Sequence, residues 1–153
     1  MIIDSDQAEQ SALLSVANLM VAAARTAPKA RGDDSITTAI VTDRDKDALA
    51  AVMAELGRTR DAENVKQSGA VVLIGVNCGP VSEAWWPFKA KLIDLGIAIG
   101  SAVKVASDLN VDNRVMYSIG LAATKMGLLQ AEEIQRIPLA LTGKNPFFDR
   151  KPL

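Results

Sequence analysis

Residues 70–76 read AVVLIGV, seven positions without a charge and without apolar–polar alternation. A strand with one face in water alternates, whereas a strand covered on both faces does not. The run therefore predicts a central strand with packed layers above and below it. The remaining chain has to supply both the flanking strands and the covering helices. The 153 residues suit a single domain, 1–153, with one sizeable core. Aromatic residues are only 4% of the chain against 49% hydrophobic, so Ala, Val, Leu and Ile must fill that core, which favours helices lying close on a sheet.

The covering layers are legible on either side of the run. Residues 6–26 predict a helix in which Leu13, Val16, Met20 and Ala24 form one apolar stripe, widened by Leu14, Ala17 and Val21. Asp4 or Ser5 offers an oxygen to the open amides of the first turn, and Pro28 ends the helix. After the loop PKARGDDS, the β-branched segment ITTAIVT (36–42) predicts a strand. Leu49, Val52, Met53 and Leu56 fall at i, i+3, i+4 and i+7 of a second helix, capped by Thr42 and Asp43 and stopped by Gly57. Residues 61–67 predict a short helical turn, and 88–110 a long helix. Residues 113–127 stay open between a continued helix, with Met116, Ile119, Ala123 and Met126 on one side, and a strand over 114–119. A short helix near 130–136 leads into a last strand, IPLALT (137–142), and the tail GKNPFFDRKPL packs on the body or on a partner chain. Helices alternating with at least three strands give an α/β or α+β domain.

Charge and composition exclude several classes of function. Seventeen basic residues stand against 18 acidic ones, a net charge of −1, so there is no basic excess to neutralise a nucleic acid. The chain has no histidine, which removes Ser-His-Asp and Cys-His catalysis and histidine-based zinc sites. Cys78 is the single cysteine; no intramolecular disulfide can form, and a reducing, cytoplasmic compartment is expected. The N-terminus MIIDSDQAEQ does not read as a signal peptide. The most membrane-like stretch, 92–105, carries Asp94 and Lys104 and falls short of the roughly 20 apolar residues of a spanning helix. No membrane is expected.

A few residues are candidates for chemistry. Arg25, Lys29 and Arg31 around the first loop, and Lys144, Arg150 and Lys151 in the tail, either meet phosphate or carboxylate groups or are solvated charges paired with Asp33, Asp34 or Asp149. Cys78 follows the central strand, where ligands often sit in α/β sheets, but with no histidine to activate it a plain packing role is the simpler reading. Trp85 and Trp86 either contact a ligand or partner or lid the core. Gly96 and Gly100 lie four apart in the long helix, at a cost of about 1 kcal/mol each. Close backbone approach would offset that cost, and the approaching element is the chain's own sheet or, as favoured here, the same helix of a second subunit. The consecutive Glu132 and Glu133 do not read as an acid–base pair.

The segments AARTAPKARGDDSITTAIVT, DAENVKQSGAVVLIGV, FKAKLIDLGIAIGSAVKVASDLNVDNRVMYSIGLAATKMGLL and IPLALTGKNPFFDR resemble the uncharacterised ferredoxin-domain-containing proteins of bacteria and archaea. The stretches VDNRVMY and TGKNPFFDR are the most specific. Members of that family typically carry a cysteine-rich insert around the NCG segment, thought to hold an iron–sulfur cluster. A cluster normally takes four thiolates, and only Cys78 remains here, so the insert and the cluster are expected to be missing.

A second resemblance lies beneath the first. A helix ending AARxAP, then a polar loop and a strand, is similar to the nitroreductase pattern, as is the later order of strand, long helix and final strand. This resemblance implies an α+β, nitroreductase-like fold with a central sheet packed by helices. It also implies a homodimer that binds FMN between subunits and takes hydride from a reduced nicotinamide. The flavin would carry the redox step for a chain without histidine. The nitroreductase loop usually reads P-S-x-x-N-x-Q; after Pro28, Lys29 stands at the serine, Gly32 at the asparagine and Asp34 at the glutamine. The arginine-rich segment that usually precedes the first helix is absent from this sequence. The cofactor-binding candidates are Arg25, Pro28, Lys29, Arg31, Gly32 and Lys144, of which Arg25 and Pro28 match motif positions and the four others are chosen for charge or place in the loop. The expected function is an FMN-dependent oxidoreductase or flavin-binding redox protein. The alternative is a non-catalytic module of the same fold that binds a small ligand or a protein.

Overall fold

The computed structural model describes residues 1–79, 86–117 and 119–148. In chain order the elements are α1 (Ser5–Thr26), β1 (Ile36–Val41), α2 (Asp43–Glu55), α3 (Thr59–Gln67), β2 (Ala70–Val76), α4 (Trp86–Asp108), β3 (Asp112–Asn113), α5 (Ile119–Lys125) and β4 (Glu133–Ala140). The sheet runs β1-β2-β4-β3, and its neighbouring strands are antiparallel. The AVVLIGV run is β2, paired on both edges and buried at every position.

Period-2 alternation along the strands sends side chains to two separate cores. Val72, Ile74, Ile137 and Leu139 meet α1 and α4 on one face; Val71, Leu73 and Ile134 meet α2, α3 and α5 on the other. Met20 and Leu49, one from each layer, are fully buried, each contributing about 1.5–3 kcal/mol. Ala17 and Ala24 of α1 and Ala98, Ala102 and Ala106 of α4 have no exposed surface, and their lack of bulk lets the two helices approach each other and the sheet.

Local chemistry sets the helix ends. The Asp4 carboxylate accepts from the Gln7 amide at 2.9 Å, which caps α1 as its sequence predicts. The start of α2 differs: the Thr42 hydroxyl donates to the Asp43 carboxylate at 2.8 Å, and no side chain caps the first turn. Asp43 and Asp45 instead place negative charge where the helix dipole favours it. Gly57, at φ 76°, follows the end of α2 in the left-handed region. The predicted short turn extends to the nine-residue α3, whose C-terminal carbonyls receive Lys46; its Nζ lies 3.0 Å from the Lys66 oxygen.

Two readings of the sequence are corrected, and a third is narrowed to one of its alternatives. Residues 133–136 are not helical; they begin β4, whose Glu133 faces Val76 across the ladder. Within 113–127, neither alternative holds over its whole length. Met116 bridges to Arg136 as an isolated pairing, and the helix is confined to α5. Gly96 and Gly100 face outward, with no atom within 4 Å of a built Cβ, so the chain's own sheet is not what they approach. Gly75 is the glycine that close approach demands: a Cβ there would stand 2.6 Å from that of Ala131.

Candidate functional site

Two polar regions lie at opposite ends of the sheet. The first is the loop between α1 and β1. Its backbone enters a 3-10 turn at Ala30–Gly32, in which Arg31 and Gly32 take φ values of 57° and 67°. Four side chains hold the loop. The Ala30 amide donates to the buried Asp94 carboxylate of α4 at 2.9 Å. Lys91 of the same helix pairs with Asp33. Arg25 grips Asp34 through two nitrogens and also donates to the Ile36 carbonyl. The guanidinium beside Asp34 holds that carboxyl below the usual carboxylate range, and Asp34 in turn raises Arg25. Lys29 donates to the Arg25 and Ala27 carbonyls and covers the C-terminus of α1. Two of the three cations chosen from this segment are thus engaged by the chain itself. Arg31 is exposed and makes no salt bridge with described residues, and Pro28 and Gly32 are exposed beside it.

The second region is a cleft of about 860 Å³ between α3 and the segment after β4. Arg60 and Asn64 line one wall, and Thr142, Lys144 and Phe148 the other. The tail wall is shaped locally. Asn145 Oδ1 accepts from the Phe147 and Phe148 amides at 2.9 and 3.3 Å, and Thr142 donates to the Lys144 carbonyl at 2.7 Å. This turn plants Phe147 in the core and leaves the Phe148 ring exposed, with the Arg114 guanidinium 5.5 Å from its centre. Asn64 is 8% exposed, and its Nδ2 is buried without a hydrogen-bond partner. A donor in that condition costs about 1–3 kcal/mol unless something accepts from it.

Lys144 therefore belongs to a different place from Arg25, Lys29 and Arg31. The loop adjoins Ile36, opposite Val76, whereas Lys144 follows β4 beyond the Ala70 end of β2. Seven strand residues separate the two ends by roughly 20 Å. Arg60 and Asn64 were not among the sequence candidates. The only signal for them was a polar face on a short helix, and nothing local tied it to a segment some eighty residues away.

The other candidates resolve as follows. The Cys78 and Gly79 amides both donate to Glu132 Oε2, at 2.8 and 3.1 Å. Burial first, then Glu132 and Glu133, push the Cys78 thiol up, away from the reactive thiolate. Among the described residues no three His, Cys, Asp or Glu side chains cluster to hold a metal ion. Trp86 is exposed at the start of α4, while Trp85, Asp149, Arg150 and Lys151 lie outside the described residues. No helix among the described residues is long and apolar enough to cross a membrane.

An antiparallel four-stranded sheet between a two-helix layer and a layer of shorter helices is the nitroreductase fold, and solved structures bear this out. NfrA1 of B. megaterium superimposes with a TM-score of 0.68 at 14% identity, over 92% of this chain and 62% of the larger protein. A Desulfovibrio desulfuricans protein described as a nitroreductase, solved with FMN, gives 0.66 at 16% identity, over 91% of this chain and 80% of that one. YcnD of Bacillus subtilis, described as a hypothetical oxidoreductase, gives 0.63 at 12%, over 91% and 61%. At the level of sequence, residues 88–150 match the family described as "Uncharacterized protein containing a ferredoxin domain (DUF2148)". An uncharacterized protein of Archaeoglobus fulgidus is 39% identical across 88% of this chain and 89% of its own length. The chain belongs to this family of ferredoxin-domain-containing proteins.

Proposed function

We propose that this protein is a flavin-dependent redox protein that works as a homodimer and holds FMN in the cleft between α3 and the tail. The buried, unsatisfied Asn64 amide in a cleft that also presents Arg60 and Lys144 is the observation that carries the reading. The cleft's size lies within the range of small-molecule sites. The donor set fits an anionic ligand rich in acceptors. Arg60 and Lys144 would pair with a phosphate, Asn64 would donate to a ligand oxygen, and Phe148 would cover an aromatic ring system. Bound FMN would supply the electron transfer; the chain would supply placement, charge and exclusion of water. The residues do not fit an iron–sulfur cluster, because one cysteine stands where four thiolates are normally needed.

A second copy would complete the site. Ile93, Gly96, Ile97, Gly100 and Lys104 form one outward stripe on α4, and the two isoleucines are 52% and 39% exposed. The Asp94 end of α4 holds the Arg31 loop. Its Ser107 end lines a smaller polar pocket with Asn110 and Asn145, and Asn145 also lines the cleft. Those two ends are about 20 Å apart along the helix, with Gly100 near the midpoint. An antiparallel two-fold pairing at Gly100 would carry the Arg31 loop of one copy toward the cleft of the other.

Titration with FMN tests the reading, with flavin fluorescence and visible absorption as readouts. Stoichiometric binding, with the flavin reduced by NADH, NADPH or dithionite, is the expected result. A colourless protein that takes up no added FMN would favour a non-catalytic binding module. Sedimentation equilibrium should return a dimer that Ile97→Glu dissociates.

A further inference from the structure

Beside the flavin cleft is a second feature of different character. Arg58, Asp61, Arg114, Val115, Met116 and Tyr117 border a hollow of about 250 Å³, below the usual size of a small-molecule pocket. It is joined to the cleft by α3 and by the stacking of Arg114 on Phe148. Around it the surface protrudes: Tyr117 is 83% exposed, Phe148 62% and Val115 43%. Arg58 and Arg114 line the hollow with Val115 and Tyr117, Arg60 and Lys144 line the cleft with Phe148, and none of the four cations makes a salt bridge with a described residue. The two features together present four cations against two carboxylates, Asp61 and Glu63, on a chain whose net charge is −1.

An exposed apolar centre beside an excess of positive charge suits a transient protein contact: the charge steers encounter, and the apolar centre holds the complex briefly. We propose that this face docks a small acidic protein carrying a one-electron redox centre. The hollow, whose Met116 packs in the core beneath α2, α3 and α5, lies on the opposite face of the sheet from α4. The choice of a redox carrier as partner rests on the flavin reading; the charge and shape of the surface do not. Two encounters would deliver two electrons to bound flavin, with two protons drawn from solvent. A hollow this small does not accommodate a dinucleotide, whereas protruding aromatic residues suit a protein surface.

The test measures binding of a [2Fe–2S] ferredoxin and a flavodoxin, both acidic, by surface plasmon resonance, with basic cytochrome c as the control. Apoprotein and FMN-loaded protein are run side by side at low and at 300 mM salt. The acidic proteins should bind both forms at low salt, the FMN-loaded form more weakly because the phosphate would engage Arg60 and Lys144 and leave Arg58 and Arg114 to the partner. Binding should weaken by about tenfold or more at 300 mM, and the acidic proteins should outcompete the control. Arg58→Glu with Tyr117→Ser should abolish binding while FMN affinity stays as it was. No binding of either acidic protein at low salt would overturn the proposal, as would binding indifferent to the double substitution. Docking without FMN uptake would sink the flavin reading and with it the redox role of the partner, leaving the acidic docking face; FMN uptake without docking would sink this proposal alone.

Discussion

The Asp94 carboxylate, buried in the N-terminal half of α4, accepts a hydrogen bond from the backbone amide of Ala30, sixty-four positions earlier in the chain. That bond ties the loop carrying Arg31 to the helix proposed as the dimer contact. The second Asp94 oxygen is buried without a partner, so the residue is held at a cost the fold offsets elsewhere. Asp94→Ala should free the loop and leave the Ala30 amide unpaired, lowering stability by about 1–3 kcal/mol. Asp94→Asn keeps an acceptor and should lose less. Urea denaturation of the two variants checks the order; equal losses would mean that the hydrogen bond is not what matters there.

Arg25 and Asp34 give the same loop a pH dependence. The folded protein holds the Asp34 carboxyl below its ordinary range, chiefly through the Arg25 hydrogen bond, and Asp47 is held low by Lys46 in the same way. A carboxylate depressed on folding contributes stability that is fully present above its unfolded value, near 3.9, and is lost as pH falls through the lower native value. Thermal unfolding followed from pH 6 down to pH 2 should show the acid limb, and Asp34→Asn should flatten it. Asp34 is exposed, so the change should be small and should shrink in salt. An acid limb unchanged by the substitution would show that other carboxylates set it.

What the sequence displays and what it hides follow from the range of the interactions. The β2 run and the α1 stripe are visible because burial on two faces or on one leaves a periodic pattern within a few residues. The start of β4 does not read as a strand because Glu133, Gln135 and Arg136 interrupt any apolar pattern. Arg136 is fully buried even so, its guanidinium donating to the Ile134 carbonyl at 3.0 Å and its pKa pushed down to about 10 by burial. Only pairing with β2 makes the segment a strand, and that is a long-range fact. The cleft was hidden for the same reason, since Asn64 and Lys144 meet only once the sheet has formed.

Cys78 illustrates how a backbone contact governs side-chain chemistry. Glu132 sits on the Cys78 and Gly79 amides, and its charge helps burial keep the thiol protonated. Alkylation by iodoacetamide at pH 7.5 should be slower than for a free thiol. Glu132→Gln retains an amide oxygen to accept from the backbone but removes the charge, and should speed the reaction. A rate unchanged by the substitution would leave burial and Glu133 as what holds the thiol protonated.

Lys29 and Lys144 were both candidates for holding a phosphate, and the structure gives them different work. Lys29 spends its donors on the Arg25 and Ala27 carbonyls at the end of α1, with Asp34 at 3.9 Å. Lys144 and Arg60 line the cleft without a carboxylate partner of their own among the described residues. Lys29→Ala should therefore cost about 1 kcal/mol of stability by opening the helix end, with FMN affinity changed by less than about threefold. Arg60→Ala and Lys144→Ala should leave the melting temperature within a degree or two. Each should weaken FMN by about 1.5–3 kcal/mol, roughly 10- to 150-fold, as one charge-assisted bond is lost. Calorimetric titration of the three variants beside thermal melts separates the roles. If Lys29→Ala abolished FMN binding while the two cleft variants bound normally, the flavin would have to lie at the loop end of the sheet.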